Sequence, residues 1–165
     1  MRPLKAEKPG PGQESVWDYP RPPRLEASHA RVVIEFGGVR IVDTTRSLRI
    51  LETSHPPVHY VPLDAVADGV LERTERESYC EWKGTALYYD VVSPKRREPA
   101  AAWGYPAPVP AYAALTGYVA FYPTRMDACS LDGERVVAQD GDFYGGWRTS
   151  RVVGPFKGGP GTWGW

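Results

Sequence analysis

The sequence predicts an all-β protein, a small antiparallel sandwich or barrel-like sheet with one or two short helical turns. Its 165 residues are the size of one domain that can bury its own core. Glycine and proline each occur 17 times, which places turn signals throughout the chain and disfavours long helices. Short runs of alternating apolar and polar residues lie between these turns, as in small β proteins.

The clearest element is a hairpin around Gly37-Gly38, a two-residue turn between the alternating runs 31–36 and 39–43. This turn places Phe36 opposite Val39. Continued without interruption, the same register places Ile34 opposite Ile41 on one face.

A second hairpin is predicted at Asp132-Gly133, which joins the runs 126–131 and 134–138. Its register places Cys129 opposite Val136 and makes Cys129 a core thiol. Further strands are predicted at residues 47–51, 58–61, 84–92 and 117–122. Helical turns are predicted after Pro62 and over residues 110–116.

Three segments differ in composition. Residues 1–15 form a polar leader with too few apolar side chains to order it, and we expect it to be mobile. Residues 16–139 contain the predicted strands. Residues 140–165 form a tail rich in glycine and aromatic residues, which we expect to dock on its own domain; binding a partner chain is the alternative.

Charge and cysteine usage restrict the function classes. Twenty basic and 20 acidic residues leave no net charge, which argues against a strongly basic nucleic-acid-binding protein. The chain has no apolar run long enough to cross a membrane and no secretory signal at its start. Two cysteines without CxxC spacing fit a reducing compartment, so we expect a cytoplasmic protein.

The first candidate cluster lies at residues 52–60 and contains Glu52, His55 and Tyr60. Pro56 and Pro57 exclude the helix that would bring His55 and His59 together as zinc ligands, and we predict no metal site. In an extended strand, His59 and Val61 share one face and Tyr60 lies on the other. His55 is either an acid, base or ligand donor in a loop, or a structural histidine.

The second cluster is Cys80-Glu81-Trp82-Lys83-Gly84. Continued strand alternation places Cys80 and Trp82 on one face as structural residues, and Lys83 with Glu81 on the other. Lys83 is a candidate anchor for an anion, because the neighbouring Gly84 permits close approach of a ligand. A reactive Cys80 thiolate and a solvated lysine remain the alternatives.

The third cluster contains Trp103 and Tyr105, whose rings either wall a pocket for a flat ligand or cap the core. Arg46, near the predicted strand 47–51, is a candidate to bind a phosphate or carboxylate together with Lys83. This requires the fold to bring the two cations together.

These strings resemble the bacterial DUF427 family, a domain of unknown function also labelled nucleotidyltransferase-like. The similarity runs from Val16 to about Ala138, through Asp43-Thr44-Thr45-Arg46, Leu51 to Pro57, Tyr60-Val61-Pro62, Cys80 to Gly84, Ala102 to Pro106 and Gly117 to Pro123. The family pattern has proline where Glu81 stands and commonly serine where Gly104 stands. The resemblance implies a mostly β domain in which the three clusters share one region, and it implies no established reaction.

From these residues we hypothesise a domain that binds a small anionic or flat ligand, with Arg46, Glu52, His55, Tyr60, Lys83, Trp103 and Tyr105 lining the pocket. An acid–base enzyme using Glu52 and His55, or one using Cys80, is an alternative. Metal-dependent nucleotidyl transfer would require convergent carboxylates beyond Glu52. An interaction protein that uses the aromatic tail is a further alternative. The sequence identifies neither the ligand nor a cofactor.

Overall fold

Two antiparallel sheets form most of the protein. The computed structural model describes residues 6–141 and 143–165. Its strands are β1 (Glu14–Ser15), β2 (Arg24–Ser28), β3 (Val32–Phe36), β4 (Val39–Thr44), β5 (Ser47–Leu51), β6 (Val58–Pro62), β7 (Leu71–Cys80), β8 (Gly84–Ser93), β9 (Arg96–Gly104), β10 (Tyr118–Phe121), β11 (Ala128–Leu131), β12 (Glu134–Arg135), β13 (Val137–Ala138), β14 (Trp147–Arg148) and β15 (Val152–Val153).

The larger sheet has seven strands in the order β2-β5-β6-β10-β9-β8-β7, and the smaller has four in the order β12-β11-β3-β4. A continuous core joins them: Ile34, Val42 and Cys129 of the smaller sheet pack in one cluster with Val61 and Val119 of the larger. This is the sandwich predicted from the sequence.

In the described part of the chain, helical structure consists of short 3₁₀ turns. Leu63–Ala65 and Pro110–Leu115 lie where the sequence predicts helical turns, and each begins at or just after a proline. Two more turns, Val16–Asp18 and Pro123–Arg125, were not predicted. No helix in the described part of the chain is long and apolar enough to span a membrane.

The Gly37-Gly38 hairpin forms with Phe36 opposite Val39, as predicted, but its register then shifts. Ile34 pairs with Val42 rather than with Ile41, because a bulge interrupts the ladder between Ile34 and Glu35. The bulge allows the neighbouring Ile41 and Val42 both to be buried, each 1% exposed. The second hairpin keeps its predicted register, since Val136 N donates to Cys129 O at 2.9 Å.

Six strands were missing from the sequence prediction: the two-residue strands β1, β14 and β15, and the longer strands β2, β7 and β9. The strand β7 reads Leu-Glu-Arg-Thr-Glu-Arg-Glu-Ser-Tyr-Cys and is mostly exposed at the edge of the larger sheet. Charged side chains are typical of edge strands, where they discourage pairing with other chains. Its pairing with β8, rather than any apolar pattern of its own, defines β7 as a strand.

The two faces of the larger sheet have different surroundings. In β6, Val61 belongs to the core between the sheets, whereas Tyr60 belongs to a separate aromatic cluster on the outer face. His59 packs against Trp147, on the core side with Val61, as alternation predicts. The outer face therefore presents aromatic side chains that the smaller sheet leaves uncovered.

Both ends of the described chain contact the domain. The mobility of the leader, residues 1–15, stays a prediction, and residues 1–5 lie outside the described residues. Glu14 and Ser15 form β1, which pairs in parallel with β15. In the tail, Trp147 N donates to Pro57 O at 2.8 Å and Lys157 N donates to Ser54 O at 2.9 Å.

Candidate functional site

A cavity of about 750 Å³ lies on the outer face of the larger sheet. This volume is in the range of small-molecule sites. Its lining residues come from the sheet, from the loop after β5, from the β7–β8 turn and from the tail: Ile50, Glu52, His55, Pro56, Val58, Tyr60, Ser78, Tyr79, Cys80, Glu81, Trp82, Lys83, Tyr88, Trp103, Tyr105, Tyr122, Gln139, Phe143, Tyr144, Gly145 and Lys157.

Strand register builds the floor of the cavity. Tyr88 lies opposite Trp103, and Trp103 lies opposite Ala120. The pairing of Val119 with Val61 places Tyr60 next in the same row. Because directly opposite residues share a face, this row carries three large rings and one small alanine across neighbouring strands.

The rings contact one another beyond this row. Trp103 and Tyr122 have ring centroids 4.4 Å apart, and Tyr60 meets Trp103 edge-on at 6.3 Å. Tyr105 lies 6.4 Å from Tyr60. Such contacts fix the rings as a preformed wall for a flat ligand.

Lys83 supplies a buried cation at this wall. The residue is 9% exposed, and its Nζ lies 5.6 Å from the centroid of the Tyr105 ring. Among the described residues, Nζ has neither a hydrogen-bond acceptor nor an ion-pair partner. An ammonium that lines a cavity with only a ring face for contact favours an anionic ligand group.

Glu52 is a second charged group of the lining. Its Oε2 accepts a hydrogen bond from Arg21 Nε at 3.2 Å and lies 3.4 Å from His55 Nε2. Burial alone would raise the pKa of Glu52, but His55 and Arg21, which both face the carboxylate, lower the pKa to about 2. Glu52 is therefore ionised at neutral pH, with its charge balanced from outside the cavity by Arg21.

His55 is held between Glu52 and Gln139. Gln139 accepts from Gly146 N through Oε1 at 3.2 Å and donates from Nε2 to Lys157 O at 2.7 Å, which fixes the orientation of its amide. The same Nε2 lies 3.1 Å from His55 Nδ1, so Nδ1 accepts and the proton of the neutral ring is on Nε2, facing Glu52. Both ring nitrogens thus face protein groups.

The buried phenols stay protonated at neutral pH. Burial raises the pKa values of Tyr60 and Tyr105 above that of a free phenol. Burial, together with the neighbouring Tyr88, raises the pKa of Tyr122 to about 12. These hydroxyl groups therefore add no negative charge to the cavity wall.

Comparison with known protein families matches residues 24–132 to the domain of unknown function DUF427. This match covers more than half of the chain. The chain belongs to the DUF427 family. No curated protein matches the sequence.

The DUF427 match contains the sheet part of the cavity but not its whole lining. Gln139, Phe143, Tyr144, Gly145 and Lys157 follow the matched residues. Gly145 lies so close to Trp103 that a Cβ there would be 2.1 Å from Cη2 of the indole. The tail of this DUF427 protein therefore forms one wall of the cavity.

The structure brings most of the sequence-predicted site residues together. Glu52, His55, Tyr60, Lys83, Trp103 and Tyr105 all line the cavity. Arg46 does not: its Nη2 pairs with Asp64 Oδ1 at 2.7 Å, and its side chain is 62% exposed. Arg46 and Glu52 lie at opposite ends of β5, because Arg46 precedes the strand and Glu52 follows it. Each strand residue adds about 3.4 Å to the distance between them, so the two side chains cannot reach the same cavity.

The β7–β8 turn corrects the predicted alternation around Lys83. Strand pairing ends with Cys80 opposite Gly84, and residues 81–83 form the turn between them. Lys83 and Trp82 consequently both line the cavity instead of facing opposite sides. Cys80 and Trp82, predicted as structural residues, are partly buried at the same wall.

Sequence reasoning missed Gln139, Tyr88, Tyr122 and Lys157. Tyr88 and Tyr122 lie in or beside predicted strands, and strand register could have placed Tyr88 opposite Trp103 had β9 been recognised. Gln139 and Lys157 line the cavity because the tail folds back onto the larger sheet. No local sequence pattern predicts where the tail runs. Among residues 6–141 and 143–165, no group of three or more His, Cys, Asp or Glu side chains is placed to hold a metal, and Asp142 lies outside the described residues.

Proposed function

We propose that this DUF427 protein binds a small, flat, anionic ligand in the cavity on the outer face of its larger sheet. The observation that carries the proposal is Lys83, a residue 9% exposed whose ammonium lacks a hydrogen-bond partner among the described residues while it lines an aromatic cavity. A charge is buried at a cost unless a partner compensates it. A ligand anion is such a partner.

The rings supply the apolar part of the proposed site. Trp103, Tyr60 and Tyr105 offer faces and edges for a planar group, and their hydroxyl and indole groups carry no negative charge that would repel an anion. The cavity volume of about 750 Å³ accommodates a molecule of metabolite size. Glu52, His55 and Gln139 form a fixed polar cluster beside this wall that can orient the ligand.

An acid–base enzyme is less well supported than a binding protein. A general base needs a nitrogen that faces the proton to be removed. In His55, Nδ1 faces Gln139 and Nε2 faces Glu52, so catalysis would first require this cluster to open. The tail-mediated interaction alternative is weakened because Trp147 is 1% exposed, although Trp163 is 90% exposed.

We also propose a reducing compartment, the cytoplasm, as the place of function. Support comes from Cys80 and Cys129, which are both free thiols.

The proposal can be tested with 8-anilino-1-naphthalenesulfonate, a flat aromatic anion whose fluorescence rises in apolar sites. We expect one saturable site. Val58→Phe, which narrows the cavity from β6, should weaken binding at least tenfold, whereas Val137→Phe, at a 53% exposed position, should leave it unchanged. Absence of saturable binding, or equal affinity of the two variants, would overturn the proposal.

A further inference from the structure

The charges around the cavity restrict the ligand class further than its aromatic walls do. Among the described residues, four charged side chains line it: Glu52, Glu81, Lys83 and Lys157. Glu52 is balanced by Arg21, and Lys157 Nζ donates a hydrogen bond to Trp165 O at 2.8 Å. Glu81 is exposed at the rim. Lys83 is thus the charged lining group that is buried and uncompensated within the described residues.

One buried positive charge matches one negative charge. A phosphate monoester carries between one and two negative charges at neutral pH and presents three acceptor oxygens. Sites for such groups usually supply arginine forks or several backbone N–H groups. No arginine from the described residues lines this cavity, and the Glu52 carboxylate and the Glu81 rim would repel a second negative charge.

The neutral phenols complete a carboxylate site. Tyr105 lies below the Lys83 ammonium, and Tyr60 contacts both Tyr105 and Trp103. The raised pKa values of Tyr60 and Tyr105 keep both hydroxyl groups uncharged, so they do not repel a carboxylate. A chain of ring contacts then leads from the ammonium to the Trp103–Tyr122 pair, whose rings are tilted by 39° and form the apolar end of the wall.

We propose that the ligand of this cavity is a flat aromatic or conjugated monocarboxylic acid, with its carboxylate paired to Lys83 and its ring system against Trp103. This inference rests on the proposed function and narrows it to one ligand class. The contact is a charge-assisted hydrogen bond between the ammonium and the carboxylate.

Three ligands share a naphthalene ring and differ only in the group attached to it: 2-naphthoate, the neutral 2-naphthamide and 2-naphthyl phosphate. Comparing them distinguishes binding that depends on the ligand's charge from binding that depends on the shape of its ring. Their dissociation constants are measured with the full chain by calorimetry or by displacement of the fluorescent probe. We expect the carboxylate to bind at least tenfold more tightly than the amide and more tightly than the phosphate. This ranking uses the wild-type protein and does not depend on any variant folding.

Lys83→Met keeps the apolar stem of the side chain and removes its charge. The variant should abolish the preference for carboxylate over amide and leave amide binding within about twofold, whereas Lys95→Met, at an exposed position in the β8–β9 turn, should change neither. Preference for the phosphate, or equal weakening of carboxylate and amide by Lys83→Met, would overturn the carboxylate assignment while leaving a ligand cavity in place. If none of the three ligands and no sulfonate probe bind, the proposed function fails with it.

Discussion

His59 is an imidazole buried without a partner for one of its nitrogens. It is 5% exposed, its ring lies 5.2 Å from that of Trp147, and Nδ1 has no hydrogen-bond partner. Burial, with the charges of Arg49 and Arg151, lowers its pKa to about 3. The folded protein therefore keeps His59 neutral at pH values at which the unfolded chain protonates it.

This difference predicts a pH-dependent stability. Between pH 6.5 and pH 3 the unfolded state binds one more proton at His59 than the folded state does, so the free energy of unfolding falls as pH falls through this window. The slope from this residue is at most about 1.4 kcal/mol per pH unit. Urea unfolding across this range should show a smaller slope in His59→Phe, and an unchanged slope in His29→Gln, at an exposed position. A slope unaffected by His59→Phe would contradict the assignment.

The two thiols should differ in reactivity. Burial raises the pKa of Cys129 to about 12, and this residue is 2% exposed in the core between the sheets. Cys80 is partly buried and lines the cavity. We expect iodoacetamide to label Cys80 of the native protein well before Cys129, and mass spectrometry of the labelled peptides measures the order. A ligand in the cavity should slow the labelling of Cys80; faster labelling of Cys129 would show that the core opens more readily than this structure implies.

At the scale of elements, the tail can approach the larger sheet closely because residue 145 is a glycine and has no side chain. Gly145 lies against Trp103, where a Cβ would approach the indole to 2.1 Å. Gly145→Ala must displace either the tail or the ring and should cost about 1–3 kcal/mol of unfolding free energy. It should also weaken ligand binding, because both groups line the cavity.

Gly164→Ala is the matched control for this prediction. A Cβ at Gly164 meets no atom within 4 Å, so stability and binding should stay at wild-type values. Equal stability of the two variants in urea unfolding would show that the tail does not rest on Trp103 in solution.

For the whole molecule, the tail is a structural part of the domain through Trp147. This indole is 1% exposed in the core between the sheets, and its Nε1 donates to Phe121 O at 3.4 Å. Trp147→Ala should therefore cost about 3–5 kcal/mol. Trp163→Ala, at a 90% exposed position of the same tail, should change stability by less than about 0.5 kcal/mol. Comparable losses in the two variants, measured by thermal or urea unfolding, would contradict this role.

Local patterns determined much of the fold. The Gly37-Gly38 and Asp132-Gly133 turns define their hairpins because two-residue turns constrain backbone twist and register nearby. Alternation in β6 separated Tyr60 from Val61 correctly, since side-chain direction in a strand has a period of two. The edge strand β7 was not predicted, because its sequence has no alternating apolar pattern. Its hydrogen bonds to β8 make it a strand.

The sequence by itself determined the fold class, the family resemblance and the residue types of the site. Tertiary structure alone decided which of those residues meet. Arg46 and Glu52 flank the same short strand, yet only Glu52 reaches the cavity, whereas Lys157 arrives there from the far end of the chain. The physical reason is that local turn and strand rules act over a few residues, while cross-strand register and tail docking join residues whose separation along the chain leaves no local pattern.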